Sequence, residues 1–370
     1  MFSNSYRNVL FVWEYQQAVM KQFFDVIIVG GGQSALALAY YLRRSQLSYV
    51  ILDAEEKPGG SWQNYWDSVT LFSPAQWSSL PGTLMPGGTD QYPGKQDVLS
   101  YFKSYEEKYN LNIQRPVWVE SVQKQEELFT VTTSRGIYIS RVVVGATGSF
   151  RNPFIPEIVG IDVYKGKLLH SAAYRNADDF TGKRIAIIGE GNSGAQILAE
   201  LSKVATTYWI TKDHPDYLPD EVDGKYLFDA ATQLFEAKKM GRNYIPPSLG
   251  HIVMVPSVKD AREREVLHAY TGLQEIKEST ILLEDGQEID IDAIIFCTGF
   301  KPSLSFLKHL PVTIKYDKIH TSDTRSRELP GLWMIGYGSW TGFASATVVG
   351  VGRSAKQTAL EIVEFQKHKD

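Results

Sequence analysis

Two glycine-rich turns carry the clearest chemical signal in this chain. Both fit the pattern G-x-G-x-x-G/A, formed by Gly30, Gly32 and Ala35 in the first turn and by Gly189, Gly191 and Gly194 in the second. The first glycine of this pattern allows a tight turn, the second leaves room for a pyrophosphate, and the third small residue lets a helix pack on a strand. Free N–H groups at the start of that helix then face the phosphates. The spacing therefore predicts two dinucleotide sites.

Charged side chains follow the second strand of each unit. Asp53 is placed to accept hydrogen bonds from an adenosine ribose. At the corresponding point of the second unit, Lys212 and Asp213 offer a cation and an acid. A cation suits a 2′-phosphate and an acid suits a free 2′-hydroxyl, while the alternative is that both are exposed loop charges. The sequence leaves the choice between NADPH and NADH open.

Each turn lies between an apolar strand and a helix, and a second strand follows. These elements are expected at residues 23–29, 36–44 and 49–52 in the first unit and at residues 183–188, 195–203 and 207–210 in the second. Such βαβ units build parallel sheets through right-handed crossovers. Residues 113–140 alternate in the manner of a β-meander, and residues 345–367 are expected to form a final helix.

Two apolar runs that end in Thr-Gly, at residues 142–148 and 293–299, bracket the second unit. This arrangement indicates one domain interrupted by another. We therefore predict an α/β fold with two Rossmann-like dinucleotide-binding domains, the second inserted into the first. The expected boundaries are an N-terminal extension at 1–21, a first domain at 22–165 and 290–370, and an inserted second domain at 166–289.

The composition excludes several classes of protein. The chain has 370 residues and a net charge of −4, from 38 basic and 42 acidic side chains, so no strong charge points to nucleic acid. No apolar run approaches the roughly 20 residues that span a bilayer, so no membrane association is expected. A single cysteine, Cys297, is too few for a disulfide framework or a Cys-rich metal site. We expect no metal and a cytoplasmic location, and a homodimer remains an open alternative to a monomer.

Two dinucleotide sites in one chain favour a flavin and a nicotinamide, because hydride passes directly between them. A flavin disulfide reductase needs a redox dithiol, which one cysteine cannot supply, and Cys297 is expected to be a buried strand residue. Residues 212–260 are the least regular part of the chain. They are interpreted either as a solvated insertion or as a lid over a substrate pocket.

Three further segments match a family pattern: Gly59-Gly60-Ser61-Trp62, Tyr164-x-Gly166-x3-His170-x3-Tyr174, and Phe296-Cys297-Thr298-Gly299-Phe300. Together with the runs at 45–54, 71–80 and 189–200, they resemble the class B flavoprotein monooxygenases, and most closely the small bacterial flavin-containing monooxygenases. The identifying motif of that group is F-x-G-x-x-x-H-x-x-x-Y/F, in which Tyr164 here replaces the opening Phe.

The resemblance implies two cofactors, FAD and NADPH or NADH. It makes residues 22–165 and 290–370 the FAD-binding domain, and residues 166–289 the NAD(P)H-binding domain inserted into it. FAD would contact Gly30, Gly32, Gln33, Ser34, Asp53, Ser61, Trp62, Phe72, Ser73 and the backbone of Val119. The nicotinamide cofactor would lie on Gly189, Gly191, Asn192, Ser193 and Gly194, with Lys212 and Asp213 beside it. In this family the motif with Gly166, His170 and Tyr174 is a linker that supports the nicotinamide site and the domain interface. From the residues alone, His170 is either a general base or a structural hydrogen-bonding residue.

The resemblance also implies the reaction. NAD(P)H would reduce FAD, and O2 would add to give a C4a-(hydro)peroxyflavin that oxygenates a small-molecule sulfide or amine, or a ketone by Baeyer–Villiger chemistry. Because the cofactor carries the chemistry, no acid–base side chain is required. The alternatives are an NAD(P)H oxidase that releases hydrogen peroxide and a flavoprotein redox sensor without enzymatic activity.

This chain departs from the family at two points. Many members carry an Asn where the alignment places Phe72, and that amide helps to hold the flavin and the nicotinamide. A phenyl ring at this flavin-face position supplies bulk and excludes water, but it offers no amide. The Arg that often binds the 2′-phosphate is also absent near Lys212 and Asp213. We therefore expect peroxide leakage and a weak preference for NADPH over NADH.

Overall fold

The computed structural model describes residues 21–220, 222, 224–245 and 251–367. The expected N-terminal extension lies outside the described residues except for Lys21, with which the first strand begins. The helices are α1 Gln33–Leu42, α2 Lys95–Tyr109, α3 Asn192–Leu201, α4 Gly224–Lys239, α5 Pro256–Glu263 and α6 Val351–Lys367. No helix in this part of the chain combines the length and apolarity needed to cross a membrane.

The strands follow the order of the chain. They are β1 Lys21–Val29, β2 Tyr49–Leu52, β3 Ile113–Gln114, β4 Val119–Gln125, β5 Leu128–Thr133, β6 Gly136–Gly145, β7 Lys167–His170, β8 Arg184–Ile188, β9 Thr206–Thr211, β10 Ala269–Thr271, β11 Leu273–Ile276, β12 Thr280–Leu283, β13 Glu288–Asp290, β14 Ala293–Phe296, β15 Ile314–Lys315, β16 Lys318–Ile319, β17 Thr321–Ser322, β18 Arg325–Ser326 and β19 Leu332–Met334.

The first sheet has the order β17-β18-β19-β6-β1-β2-β3. Its centre is parallel, with Val26 of β1 opposite Tyr49 of β2 and Val142 of β6. The residues of β1 from Val26 to Val29 are buried without a break, as expected for a parallel strand covered on both faces. Strands β4, β5 and β6 pair antiparallel, which confirms the predicted meander. Helices α1 and α6 pack together on one face.

The second sheet has the order β10-β9-β8-β14-β7 and is parallel throughout. The chain forms it between β6 and β19 of the first sheet, so an insertion of one α/β unit into another is confirmed. Strand β14 belongs to this second sheet although it lies beyond the expected boundary at residue 290. The inserted unit therefore extends to Phe296, because Ala293–Phe296 completes the sheet between β8 and β7.

Two other segments differ from the expectations. The final helix begins at Val351 rather than at residue 345, since residues 342–350 form turns. Parts of the irregular region, including Leu218, Ile252 and Val255, are buried in the core of the second sheet, so they are not a solvated insertion. Helix α4 contacts the short 3₁₀ turn Ala75–Trp77. Residues 221, 223 and 246–250 of this region lie outside the described residues.

The two connections between the sheets pair with each other. Pro153 forms an antiparallel bridge with Phe300, and the Lys301 N–H donates to the Asn152 carbonyl at 2.9 Å. The Ser303 N–H donates to the Gly148 carbonyl, also at 2.9 Å. This pairing fixes the carboxyl ends of the two sheets beside one another, where the glycine turns lie.

Candidate functional site

The first glycine of each turn lies against the residue that follows a neighbouring strand of the same sheet. Gly30 has a φ of +105°, and a Cβ there would lie 2.6 Å from the Ala146 carbonyl oxygen. Gly189 has a φ of +128°, and a Cβ there would lie 2.4 Å from the Cys297 carbonyl oxygen. Only glycine avoids both the steric clash and the left-handed strain. The two turns therefore share one geometry, on the two sheets.

The second glycine of each turn is required for a different reason. Gly32 and Gly191 are extended, and a Cβ at either position would meet no protein atom within 4 Å. Neither the backbone conformation nor a neighbouring protein atom requires glycine at these two positions. The absence of a side chain instead leaves open space before the N-termini of α1 and α3. That space, faced by free helical N–H groups, fits a pyrophosphate. The residues present therefore fit a dinucleotide on each sheet.

A cleft of about 500 Å³ runs along the first turn. It contains most of the residues expected to hold FAD: Gly30, Gly32, Gln33, Ser34, Asp53, Ser61, Trp62 and Val119. Phe72 and Ser73 do not line this cleft. The structure places both of them in a second cavity, which is described below.

Asp53 lies in a buried ion cluster that the sequence did not reveal. Arg115 donates from Nε to Asp53 at 2.6 Å and from both terminal nitrogens to the two oxygens of Glu106 at 2.7 Å. The three side chains are 4% to 13% exposed. Burial raises the pKa of Glu106, although Arg115 acts in the opposite direction. One guanidinium thus serves two carboxyl groups beside the cleft.

The lining of the cleft includes a second ion pair that sequence reasoning missed. Arg151, in the first connection between the sheets, donates to Glu55 at 2.6 Å. Its guanidinium carbon lies 5.3 Å from the centre of the Trp118 ring. A flat aromatic face and a planar cation suit a purine base. No spacing in the sequence linked these residues, which come from three separate segments.

The second cavity has a volume of about 260 Å³ and shares Gln33, Trp62, Tyr65 and Ala346 with the cleft. The shared wall is held by Gln33, whose side-chain oxygen accepts from the Trp62 indole at 3.2 Å. The Gln33 amide nitrogen donates to the Ala346 carbonyl at 2.5 Å. Asn192 and Ser193 open into the same cavity from the second turn. The two predicted cofactor turns therefore meet at one place.

Asn192 has a structural task that its predicted role did not include. Its side-chain nitrogen donates to the His251 carbonyl at 3.2 Å, and its oxygen accepts from the Val253 N–H at 2.9 Å. Gly194 lets α3 approach β8, because a Cβ there would lie 2.3 Å from the Gly189 carbonyl oxygen. The Asn192 side chain thus fixes the segment that follows α4 to the start of α3.

Lys212 and Asp213 are exposed at the end of β9. The Lys212 N–H donates to the Glu190 carboxylate at 3.2 Å, so a second acid stands beside this strand end. Sequence reasoning missed Glu190, although its place inside the glycine pattern was a usable signal. One cation among acidic neighbours is a weak site for a 2′-phosphate.

Both ring nitrogens of His170 are hydrogen-bonded within the protein. Its Nε2 lies 3.0 Å from the Gly299 carbonyl oxygen, and its Nδ1 accepts from the Ala172 N–H at 3.1 Å. Burial lowers the pKa of His170, which favours the neutral ring. No ring nitrogen is left for a substrate proton. His170 also ends β7, an edge strand of the second sheet, so the part of the predicted linker from Lys167 to His170 is a strand.

A column of aromatic rings connects His170 to the cleft. Ring centres lie 4.9 Å apart for His170 and Phe300, 5.2 Å for Phe300 and Phe150, and 4.7 Å for Phe150 and Tyr65. Tyr65 in turn stacks on Trp62 at 4.8 Å. The column crosses both connections between the sheets, so the motif around His170 supports the wall of the site.

The rest of that motif also holds the two units together. Tyr174 donates to Glu200 on α3 at 3.0 Å, and Ser68 donates to the same carboxylate oxygen at 2.9 Å. Tyr164 folds over Gly166, where a Cβ would lie 2.4 Å from the Tyr164 hydroxyl oxygen.

Cys297 is buried, and burial raises its pKa to about 12, so it is not a thiolate nucleophile.

Comparisons with known proteins agree with this geometry. Residues 27–226 match the family model described as pyridine nucleotide-disulphide oxidoreductase. A flavin-containing monooxygenase from Stenotrophomonas maltophilia superposes with a TM-score of 0.85 at 43% identity, covering 93% of this chain and 99% of that one.

Two curated relatives align over nearly their whole length. An uncharacterized oxidoreductase described as CzcO-like, from Geobacillus kaustophilus, is 30% identical and covers 93% of this chain and 99% of its own. The indole-3-pyruvate monooxygenase YUCCA6 of Arabidopsis thaliana is 26% identical, over 93% of this chain and 91% of its own.

Proposed function

Because the chain belongs to the pyridine nucleotide-disulphide oxidoreductase family, and within it to the class B flavin monooxygenases, we propose that it oxygenates soft nucleophiles such as sulfides and amines, and also ketones. It is an FAD-dependent NAD(P)H oxidoreductase. For a sulfide, the balanced reaction consumes NAD(P)H, one proton and O2. It yields NAD(P)⁺, the sulfoxide and water, so one oxygen atom is transferred and the other is reduced.

The observation that supports this proposal most strongly is the wall common to the two cavities. Gln33 and Trp62 line the cleft on the first turn, and both also face the cavity into which Ser193 opens from the second turn. A flavin on one turn and a nicotinamide on the other would therefore meet without a carrier between them. Direct hydride transfer needs that proximity.

Each group of residues has a separate task in the proposed reaction. Bound FAD supplies electron transfer from NAD(P)H and the activation of O2. The open space at Gly32 admits its pyrophosphate, and Asp53 faces the cleft as a hydrogen-bond acceptor for its ribose. Trp62 and Phe72 give the second cavity an apolar surface that excludes water. No described side chain in this cavity is needed as a general acid or base.

Phe72 supports a second candidate function, an NAD(P)H oxidase that releases hydrogen peroxide. Its phenyl ring lines the second cavity and cannot donate or accept a conventional hydrogen bond. Removing one preorganised hydrogen bond to developing charge costs about 2.7–4 kcal/mol in well-studied sites. We expect a smaller loss here because packing substitutes in part. Oxygen transfer and peroxide release then compete.

The test measures both products in one reaction. The purified holoenzyme is supplied with NAD(P)H, isotopically labelled O2 and methyl phenyl sulfide, and labelled sulfoxide and peroxide are quantified per NAD(P)H consumed. We expect labelled sulfoxide together with peroxide. If every tested sulfide, amine and ketone yields peroxide alone, the oxidase interpretation replaces the monooxygenase.

A pair of variants tests the place of Phe72. Phe72→Asn introduces an amide into the cavity and should raise the ratio of sulfoxide to peroxide, whereas Phe72→Leu keeps an apolar side chain without an amide and serves as the control. If the two variants give the same ratio, the hydrogen-bonding capacity of this position does not control coupling.

A further inference from the structure

We propose that Glu190 is the ribose-binding acid of the second dinucleotide site and that it makes this site prefer NADH to NADPH. The inference rests on the proposed function for the identity of the reducing cofactor, NAD(P)H, and names the form that the site selects. It reverses the weak preference for NADPH expected from the sequence.

The two glycine turns obtain their acid from different places in the chain. Asp53 directly follows β2 and Lys212 directly follows β9, each at the same distance from the first glycine of its turn. The residue between the first two glycines is Gly31 in the first turn and Glu190 in the second. The first unit thus has a glycine in the turn and an acid after the strand. The second unit has an acid in the turn and a cation after the strand.

The structure nevertheless brings the two carboxylates to equivalent places. In the first unit, the Asp53 carboxylate lies against the turn, since a Cβ on Gly31 would overlap it. In the second unit, the Glu190 carboxylate reaches in the opposite direction, and its Oε2 accepts from the Lys212 backbone N–H at 3.2 Å. Each carboxylate therefore lies between its glycine turn and the end of the neighbouring strand. An acid at this place in a dinucleotide-binding fold hydrogen-bonds the 2′-hydroxyl of the adenosine ribose.

The Glu190 carboxylate is accessible to such a ligand. Glu190 is exposed, and its Oε1 has no hydrogen-bond partner among the described residues. The bond from Lys212 to Oε2 holds the carboxylate in front of β9. Gly191, the next residue, leaves the open space that fits the pyrophosphate. The ribose of the same nucleotide would therefore lie within reach of Glu190.

The charges at this place favour a ribose hydroxyl over a phosphate. Lys212 offers one cation against the two acids Glu190 and Asp213. A free 2′-hydroxyl donates a hydrogen bond to a carboxylate, whereas a 2′-phosphate is an anion that the same carboxylate repels. Lys212 reduces this repulsion only in part, because its ammonium is a single flexible point charge. The site should therefore bind the dinucleotide without the 2′-phosphate more tightly.

Binding of the oxidised nucleotides to the oxidised holoenzyme tests the inference without turnover. Isothermal titration calorimetry measures the dissociation constants of NAD⁺ and NADP⁺, and we expect NAD⁺ to bind at least about tenfold more tightly. Equal affinities, tighter binding of NADP⁺, or binding of neither nucleotide would overturn the inference. The measurement does not depend on whether the enzyme forms sulfoxide or peroxide, so it stands apart from the test of the proposed function.

Two single variants separate the charge of Glu190 from its bond to the backbone. Glu190→Gln keeps an oxygen that can accept from the Lys212 N–H and removes the charge. It should narrow the ratio of the two dissociation constants at least about fivefold, by strengthening NADP⁺ binding. Asp213→Asn is the matched control, because Asp213 is also exposed beside β9, and it should change the ratio less than about twofold. Equal changes would make Glu190 an ordinary surface charge, and no change in Glu190→Gln would make it only a backbone cap; either result contradicts the inference.

A further pair of variants moves the acid from the turn to the strand end. Glu190→Gly removes the acceptor for the ribose and should weaken NAD⁺ binding at least about tenfold. Adding Lys212→Asp rebuilds the arrangement of Gly31 and Asp53 and should restore most of the NAD⁺ affinity while NADP⁺ binding stays weak. A double variant that binds NAD⁺ no better than Glu190→Gly would overturn the inference. If a variant does not fold, the comparison of NAD⁺ with NADP⁺ in the unmodified holoenzyme decides the question.

Discussion

Replacement of Arg115 by Met gives the most quantitative test of the site. The guanidinium of Arg115 contacts Asp53 at 2.6 Å and Glu106 at 2.7 Å, and the two carboxylates are only 4% and 8% exposed. Arg115→Met keeps an unbranched side chain but leaves both carboxylates without their cation. Removing one partner of a buried ion pair costs about 3–5 kcal/mol. We expect a loss of that size in the free energy of unfolding, which is a large part of the usual total of about 5–15 kcal/mol.

The loss should depend on pH with a definite sign. Burial already raises the pKa of Glu106, and without Arg115 that pKa should rise further. A carboxyl group with a raised pKa in the folded state favours folding at low pH, and this contribution disappears as the pH rises through the raised pKa. The deficit of Arg115→Met relative to the unmodified protein should therefore be larger near pH 8 than near pH 5.

Two further variants separate buried charge from lost packing. Adding Glu106→Gln to Arg115→Met removes one of the two stranded charges and should recover about 1–3 kcal/mol. Arg184 is the matched control, because it also pairs with two carboxylates, Asp290 and Asp292, but is 41% exposed. Arg184→Met should shift the melting temperature far less than Arg115→Met does.

Thermal unfolding followed by circular dichroism measures these differences, with FAD in excess. Flavin absorbance after gel filtration reports FAD retention, which should fall because Asp53 lines the cleft. If the free energy of unfolding of Arg115→Met lies within about 1 kcal/mol of that of the unmodified protein, the reasoning is refuted. A double variant that is no more stable than Arg115→Met, or a deficit that shrinks as the pH rises, would refute it equally.

Three other outcomes are expected. Gly32→Val should abolish FAD retention, whereas Gly191→Val should leave FAD bound and weaken NAD(P)H binding, because each new side chain fills only its own open space. Flavin absorbance measures FAD retention, and the rate of flavin reduction measures NAD(P)H binding. Both NADH and NADPH should reduce the flavin, and Lys212→Ala should raise the KM for NADPH more than for NADH; an equal rise would show that Lys212 is only a surface charge. His170→Asn should lower the melting temperature and leave the pH profile of kcat unchanged, since both ring nitrogens are bonded within the protein.

The sequence predicted the fold well because its signals are local. A glycine turn, the preceding apolar strand and the following helix lie within a short stretch, so spacing alone identifies a βαβ unit. Repetition of that unit, bracketed by two Thr-Gly strand ends, was enough to indicate one α/β unit inserted in another. The start of the final helix was misplaced although Gly350, directly before the helix, was a usable breaker signal: a Cβ there would lie 2.1 Å from the Ala344 carbonyl oxygen.

The parts of the site that the sequence did not predict depend on contacts between distant segments. Asp53 was identified from its place after β2, but Arg115 lies 62 residues away along the chain, and its partner Glu106 is on α2. Spacing rules cover neighbours on one helix or adjacent strands, and they do not reach across a sheet. Sequence reasoning therefore found the acid that faces the cleft and missed the cation that holds it.

Gln33 shows why the same limit affects function as well as stability. Its position inside the glycine pattern predicted a cofactor contact, and nothing in the pattern indicated a bond to Ala346, 313 residues away. That bond and the one to Trp62 make Gln33 part of both cavities. Phe72 carries no amide, but the shared wall contains the Gln33 amide, which two hydrogen bonds hold in place. Because a Gln amide has two donor hydrogens and an oxygen with two lone pairs, Gln33 keeps capacity for one more bond of each kind toward a ligand.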